Sequence, residues 1–432
     1  MRCSSLTSVK VEWDTPISLD NSYTFSNSAN ATLYVPKGTK EAYMDADYWK
    51  DFKEIVEIGT VMDLADGSVY SGKEDVDWEE VETRSFEATG NSSMLPAKTR
   101  AKVKSKPSGR ITIKDDKLGK VVGVSGVKMV ANVFVKVSTT YTDDGGNYSF
   151  SSNFAARPKY SLCFQNKLGF TIGMNLVLVP ASVSTLGKDD PSGIDVTVDS
   201  NSDAALFRRC VVNNAAYDYY QRCASTDVTL PPKKIRFWIL NNLRPSSALM
   251  MHQGAILDSK LVSNFLQAYK IVVQMFSPDI TIGSKNKNGK YADLYSTATH
   301  EMAHASHFTS VRGTYWNSYV TYVLSSFITT GSCYGTGNGE NAGYCEVGEM
   351  WAYHVQNMVY KERYGTNPRY GCSNWFHPDI LTTLEEGGVT RAQISESLKP
   401  SVTSVEALKS ELISVCPAKK TLITNTFKKY NK

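Results

Sequence analysis

Tyr295-Ser296-Thr297-Ala298-Thr299-His300-Glu301-Met302-Ala303-His304 carries a His-Glu-x-x-His pattern on a stretch with helical character. On a helix, residues four apart lie on one face a turn apart, so the imidazoles of His300 and His304 can reach the same metal ion. Glu301 lies roughly 100° round that helix, close enough to hold a metal-bound water without becoming a ligand. Hydrolysis at a zinc ion needs two neutral nitrogens, an open coordination position and a carboxylate to accept the water's proton. The whole chain has six histidines, so abundance does not explain the spacing. The plain alternative is a surface helix with a fortuitous pattern.

A catalytic zinc usually takes three protein ligands plus water. His307 is seven residues beyond His300, about 10 Å along the helix axis. Both cannot bind one ion at about 2 Å. A metzincin would need glycine at 307 and histidine at 310, whereas the chain has His307 and Ser310. The stretch from Cys345 to Tyr360 reads as a second helix, and it offers Glu346 and Glu349, one turn apart on nearly the same face.

Within it, Glu349-Met350-Trp351-Ala352 resembles the Glu-x-aromatic-Ala motif of the gluzincin metallopeptidases, in which a second helix supplies a glutamate ligand. The resemblance rests on two short motifs. It implies a mixed α+β, zincin-like catalytic domain with a mainly helical C-terminal lobe. It also implies Zn2+ held by His300, His304 and Glu349, Glu301 as general base, and a peptide or protein as substrate. Glu346 stays open as the competing third ligand. Tyr353, one turn after Glu349, leads the candidates for stabilising an oxyanion or orienting a ligand; Tyr315, Tyr319, His354 and His377 are the others. A reading from another class is a surface binding or adhesion protein with a zinc-binding, catalytically silent domain. The intact Glu301 favours the enzyme.

Working outward, the glycine-rich stretch Thr330 to Cys345 is expected to be a substrate-facing loop, with Cys333 and Cys345 bridged at its base. Cys210 and Cys223 form the other local pair among eight cysteines, and oxidised pairs are expected in the catalytic region. Upstream, Ser202 to Gln221 reads as a helix capped by Ser202 or Asp203. Lys234 to Leu240 reads as a strand, and Lys260 to Met275 as an amphipathic helix. Pro278 to Gly283 reads as a strand just before the metal helix, and zincin resemblance makes it the edge along which an extended substrate adds. Helices are expected from Asn317 to Ile328, Glu346 to Arg363 and Ser404 to Val415.

Toward the N-terminus, Thr32-Leu33-Tyr34-Val35-Pro36-Lys37-Gly38-Thr39-Lys40-Glu41-Ala42-Tyr43, followed by Trp49-Lys50-Asp51-Phe52, resembles the last turn of bacterial surface leucine-rich-repeat proteins. Thr142-Asp143-Asp144-Gly145-Gly146-Asn147-Tyr148-Ser149-Phe150 is similar to the signature of carboxypeptidase-regulatory-like β-sandwich domains, which serve mostly as scaffolding. The expected organisation is multidomain: a repeat cap over 1–60, a linker over 61–107, an all-β sandwich over 108–200 and the zincin-like domain over 201–432. A formal charge of +4 on 432 residues, with both signs interspersed, gives no nucleic-acid surface. No apolar run is long enough to span a membrane. Met1 to Thr7 lacks the apolar core of a signal peptide, yet the resemblances imply an extracytoplasmic protein, secreted, periplasmic or on the cell surface, with its signal sequence missing from this chain. Oligomeric state is not legible.

Overall fold

In Thr32-Leu33-Tyr34-Val35-Pro36, side chains alternate across a strand, and Leu33 and Val35 turn inward while Tyr34 faces solvent. The computed structural model describes residues 6–58 apart from 12, 20–23, 26 and 37; 86–94; 105–173 apart from 134, 135, 155 and 156; 181–255; and 277–432 apart from 286 and 288. The amphipathic helix expected over 260–275, Cys3 and most of the expected linker lie outside the described residues.

Contacts divide the chain into two units, Met1–Val103 with Ala131–Thr139, and Lys104–Val130 with Thr140–Lys432. The first contains three short parallel strands, β1 (Ser8–Lys10), β2 (Thr32–Pro36) and β3 (Glu54–Ile58), in the order β1-β2-β3. Register partners Ser8, Thr32 and Glu54 stand 24 and 22 residues apart. A short helix, α1 (Lys40–Asp45), follows β2. Leu33, Val35, Tyr43, Trp49, Phe52 and Ile55 form one buried cluster. The Tyr43 hydroxyl and the Trp49 indole N–H donate to the carbonyls of Trp13 and Ile17, so both aromatics bury without orphaning a donor.

The second unit is mixed, with sheets first and helices toward the C-terminus. The strands that follow β3 in the chain are β4 (Ser108–Asp115), β5 (Lys120–Gly123), β6 (Val127–Val133), β7 (Lys136–Tyr141), β8 (Asn147–Ser149), β9 (Lys159–Asn166), β10 (Thr171–Ile172), β11 (Val183–Lys188) and β12 (Val196–Val198). One sheet runs β12-β4-β5, with β8 also on β4. The residues of the Thr-Asp-rich signature all have structural work. Thr142 Oγ1 donates to Val124 O at 2.6 Å, the Asp143 carboxylate accepts from Asn147 N at 2.8 Å, and the Tyr148 hydroxyl donates to Ile194 O at 2.9 Å. Asp143 therefore acts as a turn residue, which accounts for it without a bound cation.

The other sheet crosses residue 200, where a domain boundary was expected. With β13 spanning Arg236–Leu240 and β14 spanning Ile280–Gly283, its order is β14-β13-β10-β9-β6-β7, with β11 also on β9. β13 pairs parallel with β10 on one side and with β14 on the other. Between β12 and β13 runs α2 (Ala204–Thr226), capped by the Asp203 carboxylate on Ala205 N and Leu206 N. Such a cap contributes about 1 kcal/mol.

β14 is not a free edge. Ser247 N donates to Thr281 O at 2.9 Å and Thr281 N donates back to Ser247 O at 2.8 Å, while Met250 N donates to Asp279 O at 2.9 Å. The segment after β13 folds back antiparallel and takes the hydrogen-bonding positions that the sequence reading reserved for substrate. Asp279 secures it further, its buried carboxylate accepting from Arg236 N at 3.1 Å and Gln253 N at 2.9 Å.

The helical part begins with α3 (Tyr291–Thr330), continues with α4 (Ala342–Tyr364), α5 (Asp379–Glu386), α6 (Arg391–Glu396) and α7 (Val405–Val415), and ends with α8 (Lys420–Lys429). Ser404, read in the sequence as the start of this helix, caps α7 through its hydroxyl on Ala407 N. No described helix is long and apolar enough to cross a membrane.

Candidate metal centre

The His-Glu-x-x-His segment occupies the first half of α3, and every residue from Ala298 to Phe308 is buried. Tyr219 of α2 donates to Ser306 Oγ at 2.9 Å, and Trp351 of α4 donates its indole N–H to Ala303 O at 3.0 Å. These bonds hold the metal helix between its two neighbours. Truncating a fully buried tryptophan such as Trp351 costs about 3–5 kcal/mol.

Arg312 interrupts α3 with φ 60° and ψ −165°. A non-glycine residue in this region is strained by about 1–3 kcal/mol, held by the packing on either side. The break has a measurable result. On a straight helix Tyr319 would stand about 22 Å beyond His304, yet its hydroxyl lies 3.5 Å from His304 Nε2. The chain has turned back, and the second half of α3 lies beside the first.

His300 Nε2 and His304 Nε2 face each other at 3.1 Å. Glu349 of α4 completes the group, with Oε2 3.5 Å from His300 Nε2 and Oε1 3.5 Å from His304 Nε2. The three ligand atoms lie within 4.8 Å of one another, and all three residues are buried. Glu349 Oε1 also accepts from the Tyr319 hydroxyl at 2.7 Å, whereas Oε2 has no hydrogen-bond partner. A buried carboxylate oxygen without a partner is expensive, and a cation among the three residues would satisfy it. The group is therefore chemically suited to a metal ion, with nitrogen and oxygen donors of the kind that divalent transition metals take.

The charges agree with that geometry. Burial alone would raise the Glu349 carboxyl, but the two imidazoles outweigh it and hold the pKa well below the ordinary value. Burial opposes protonation of His300, yet the Glu349 and Glu301 carboxylates prevail and raise its pKa. Glu301 is raised, chiefly by burial, with His300 and His304 pulling the other way. A carboxylate with raised affinity for a proton, next to but outside the ligand set, is what a general base at this position needs.

Glu346 is not part of this group. It lies one turn earlier on α4 and pairs with Lys432 Nζ at 2.6 Å. The Tyr353 ring packs edge-on against His300 with centroids 4.4 Å apart, and its hydroxyl shares a 2.7 Å hydrogen bond with that of Tyr334. Tyr319 and Tyr353 both stay protonated at neutral pH, because burial first and Glu349 second push their pKa values up. The remaining candidates point elsewhere. Tyr315 donates to Val402 O at 3.1 Å, His354 is bonded to Thr382 and Glu385, and His377 packs on Tyr430. His307 is buried with neither ring nitrogen bonded, and burial drives its pKa down to about 3.

A cavity of about 560 Å³ opens onto the group, lined by Glu301, Tyr319, Tyr334 and Tyr353 among others. Ser246 to Leu249 form one wall, so the backbone edge facing the cavity belongs to this segment and not to β14. The glycine-rich loop does reach the site, through Ser332, Cys333 and Tyr334. It is pinned by Tyr322 and Trp375, which both donate to Tyr334 O, at 3.0 and 2.8 Å. The seven described cysteines carry free thiols. A bridge within the local pair Cys210 and Cys223 is ruled out, because 13 residues along α2 place them about 20 Å apart. Cys333 and Cys345 are likewise unbridged.

The sequence reading missed Lys287 and Ser246 to Leu249, neither of which belongs to a motif. Compared with known proteins, the chain matches no family model, no curated protein and no solved structure.

Proposed function

We propose that the chain is a zinc-dependent peptidase of gluzincin type, with His300, His304 and Glu349 as ligands and Glu301 as general base. The observation that carries this reading is the convergence of three buried ligand atoms within 4.8 Å, beside an unligated, buried Glu301, at the floor of an open cavity. When bound, the metal would acidify a water and polarise a carbonyl. Glu301 accepts the proton of the attacking water and passes it to the leaving amine. Tyr319 fixes Glu349 through its hydroxyl and keeps His304 company from the same atom. Tyr353 orients His300 by ring packing and, with Tyr334, offers neutral O–H donors on the cavity wall where an oxyanion would develop.

The accessory regions fit an extracytoplasmic enzyme. Parallel strands 22 to 24 residues apart fall within the period of leucine-rich repeats, supporting a repeat cap over 1–60.

The test combines metal analysis with hydrolysis of a peptide library, read by mass spectrometry with and without chelator. One zinc per chain and chelator-sensitive cleavage are expected. Glu301→Gln retains the metal and loses at least 100-fold in turnover, within the range that general acid–base groups supply. A protein that binds no metal after loading, or a Glu301→Gln variant that still cleaves, ends this reading.

A further inference from the structure

The cavity lining includes Tyr319, Val320 and Val323 from beyond the break in α3, and Lys287, Asp293, Ser296 and Thr297 from the chain just before His300. Lys287 is the notable member. It precedes α3, is half-buried, and donates from Nζ to Thr297 Oγ1 at 2.9 Å. Thr297 in turn donates to Asp293 O at 2.7 Å, which leaves its oxygen free to accept from the lysine. Among the described residues the Lys287 ammonium makes no other hydrogen bond and no ion pair.

Helical spacing fixes where this ammonium sits. Thr297 precedes His300 by three residues and Glu301 by four, so it lies on their side of α3 one turn nearer the N-terminus. Lys287 is thus held about one turn, roughly 5 Å along the axis, from the metal group. Glu301 and Asp293 are near enough to act on its charge, but neither is in contact. Asp293 has its own partner at the rim, Lys290 at 3.9 Å. Burial disfavours the charged amine and lowers its pKa.

A half-buried cation with one neutral partner, on the wall of a substrate-sized cavity, gains most from an incoming anion. We infer that Lys287 is the anion anchor of the cleft, binding a carboxylate of the substrate one helical turn from the reacting centre. This rests on the peptidase reading above. The carboxylate is either the C-terminus of a peptide or an Asp or Glu side chain; the first source makes the protein a carboxyl-terminal exopeptidase, the second an endopeptidase selective for acidic residues.

Two peptide pairs separate these sources. One pair differs only in a C-terminal carboxylate or carboxamide. The other is blocked at both ends and differs only in an internal Glu or Gln. Hydrolysis by the wild type gives kcat and KM for all four, and calorimetry on the zinc-loaded Glu301→Gln protein gives Kd. The expected result is a preference of roughly 10- to 100-fold for the charged member of one pair, carried by KM and Kd, as for a desolvated charge pair. Lys287→Met reduces it to within about twofold, and Lys287→Arg retains part of it. A Lys287 that only positioned Glu301 would change kcat equally for both members and leave the Kd ratio untouched.

Equal affinity within both pairs, a preference that survives in Lys287→Met, or no measurable binding of any peptide overturns the assignment. The two readings fail separately. Cleavage without charge preference removes the anchor and keeps the peptidase, whereas a Lys287-dependent difference in Kd without cleavage keeps the anchor and removes the peptidase.

Discussion

Helix α4 carries two histidine–carboxylate groups that end differently. Glu349 meets His300 and His304, while five residues on, His354 meets Glu385 at 2.8 Å. In the second group every polar atom is used. His354 Nδ1 is 3.1 Å from Thr382 Oγ1, and Arg391 grips both oxygens of Glu385, at 3.1 and 2.7 Å. In the first, both Nδ1 atoms and Glu349 Oε2 are left without partners, at the floor of a cavity. Both groups join a buried histidine to a glutamate, so residue type does not distinguish a site from a clamp. Incomplete satisfaction does.

Exchanging damage between the two groups sharpens the contrast. Glu349→Ala should weaken zinc by well over 100-fold, beyond the 10- to 100-fold typical of residues that only support a ligand. Glu346→Ala should leave it within about threefold. A chelator-competition titration that reversed this order would exchange their roles. Glu385→Gln should do the opposite, leaving zinc affinity intact and lowering stability by about 1–2 kcal/mol, because His354 and Arg391 lose charge-assisted hydrogen bonds while Glu362 still pairs with Arg391. Denaturant titration measures it, and a variant as stable as the wild type would mean the clamp is idle. Tyr319→Phe is intermediate, costing about tenfold in zinc affinity with little change in stability.

The clamp also predicts a pH window. Burial would raise the Glu385 carboxyl, but the His354 and Arg391 bonds overcome it and hold the pKa at about 2, below the ordinary 4.5. A depressed carboxyl gives its full contribution above the unfolded value and loses it as pH falls through the folded one. The stability gap between wild type and Glu385→Gln should therefore narrow from about pH 4.5 toward 2. A gap constant over that range would refute the assignment of the charge. The smallest effect belongs to His307. With both ring nitrogens unbonded, His307→Leu should change stability by less than about 1 kcal/mol and leave zinc unaffected.

The buried group that could hold a metal was legible in the sequence because helix periodicity converts spacing directly into facing. His300, His304 and Glu349 needed only that rule and one family resemblance, and narrowing the cap of α2 to Ser202 or Asp203 needed only local chemistry. What stayed hidden depends on chain reversals. Tyr319 was one candidate among several, since nothing in Val311-Arg312-Gly313 announces that an arginine will take the left-handed conformation. The return of Ser246 to Leu249 against β14 is a non-local pairing, so Pro278 to Gly283 looked like an open edge. Lys287 belongs to no motif. Cys210 and Cys223 are close in sequence, yet their shared helix holds them apart.

The reversal at Arg312 bears on how the centre forms during folding. Because of it, His304 and Tyr319 meet across only 15 positions of chain, and Glu349 joins Tyr319 after 30 more. Closing such short loops is fast and entropically cheap relative to long-range strand pairing. The two helical segments and their neighbour thus have the makings of an early nucleus, onto which the slower sheet, with pairings such as Thr171 to Arg236, is later assembled.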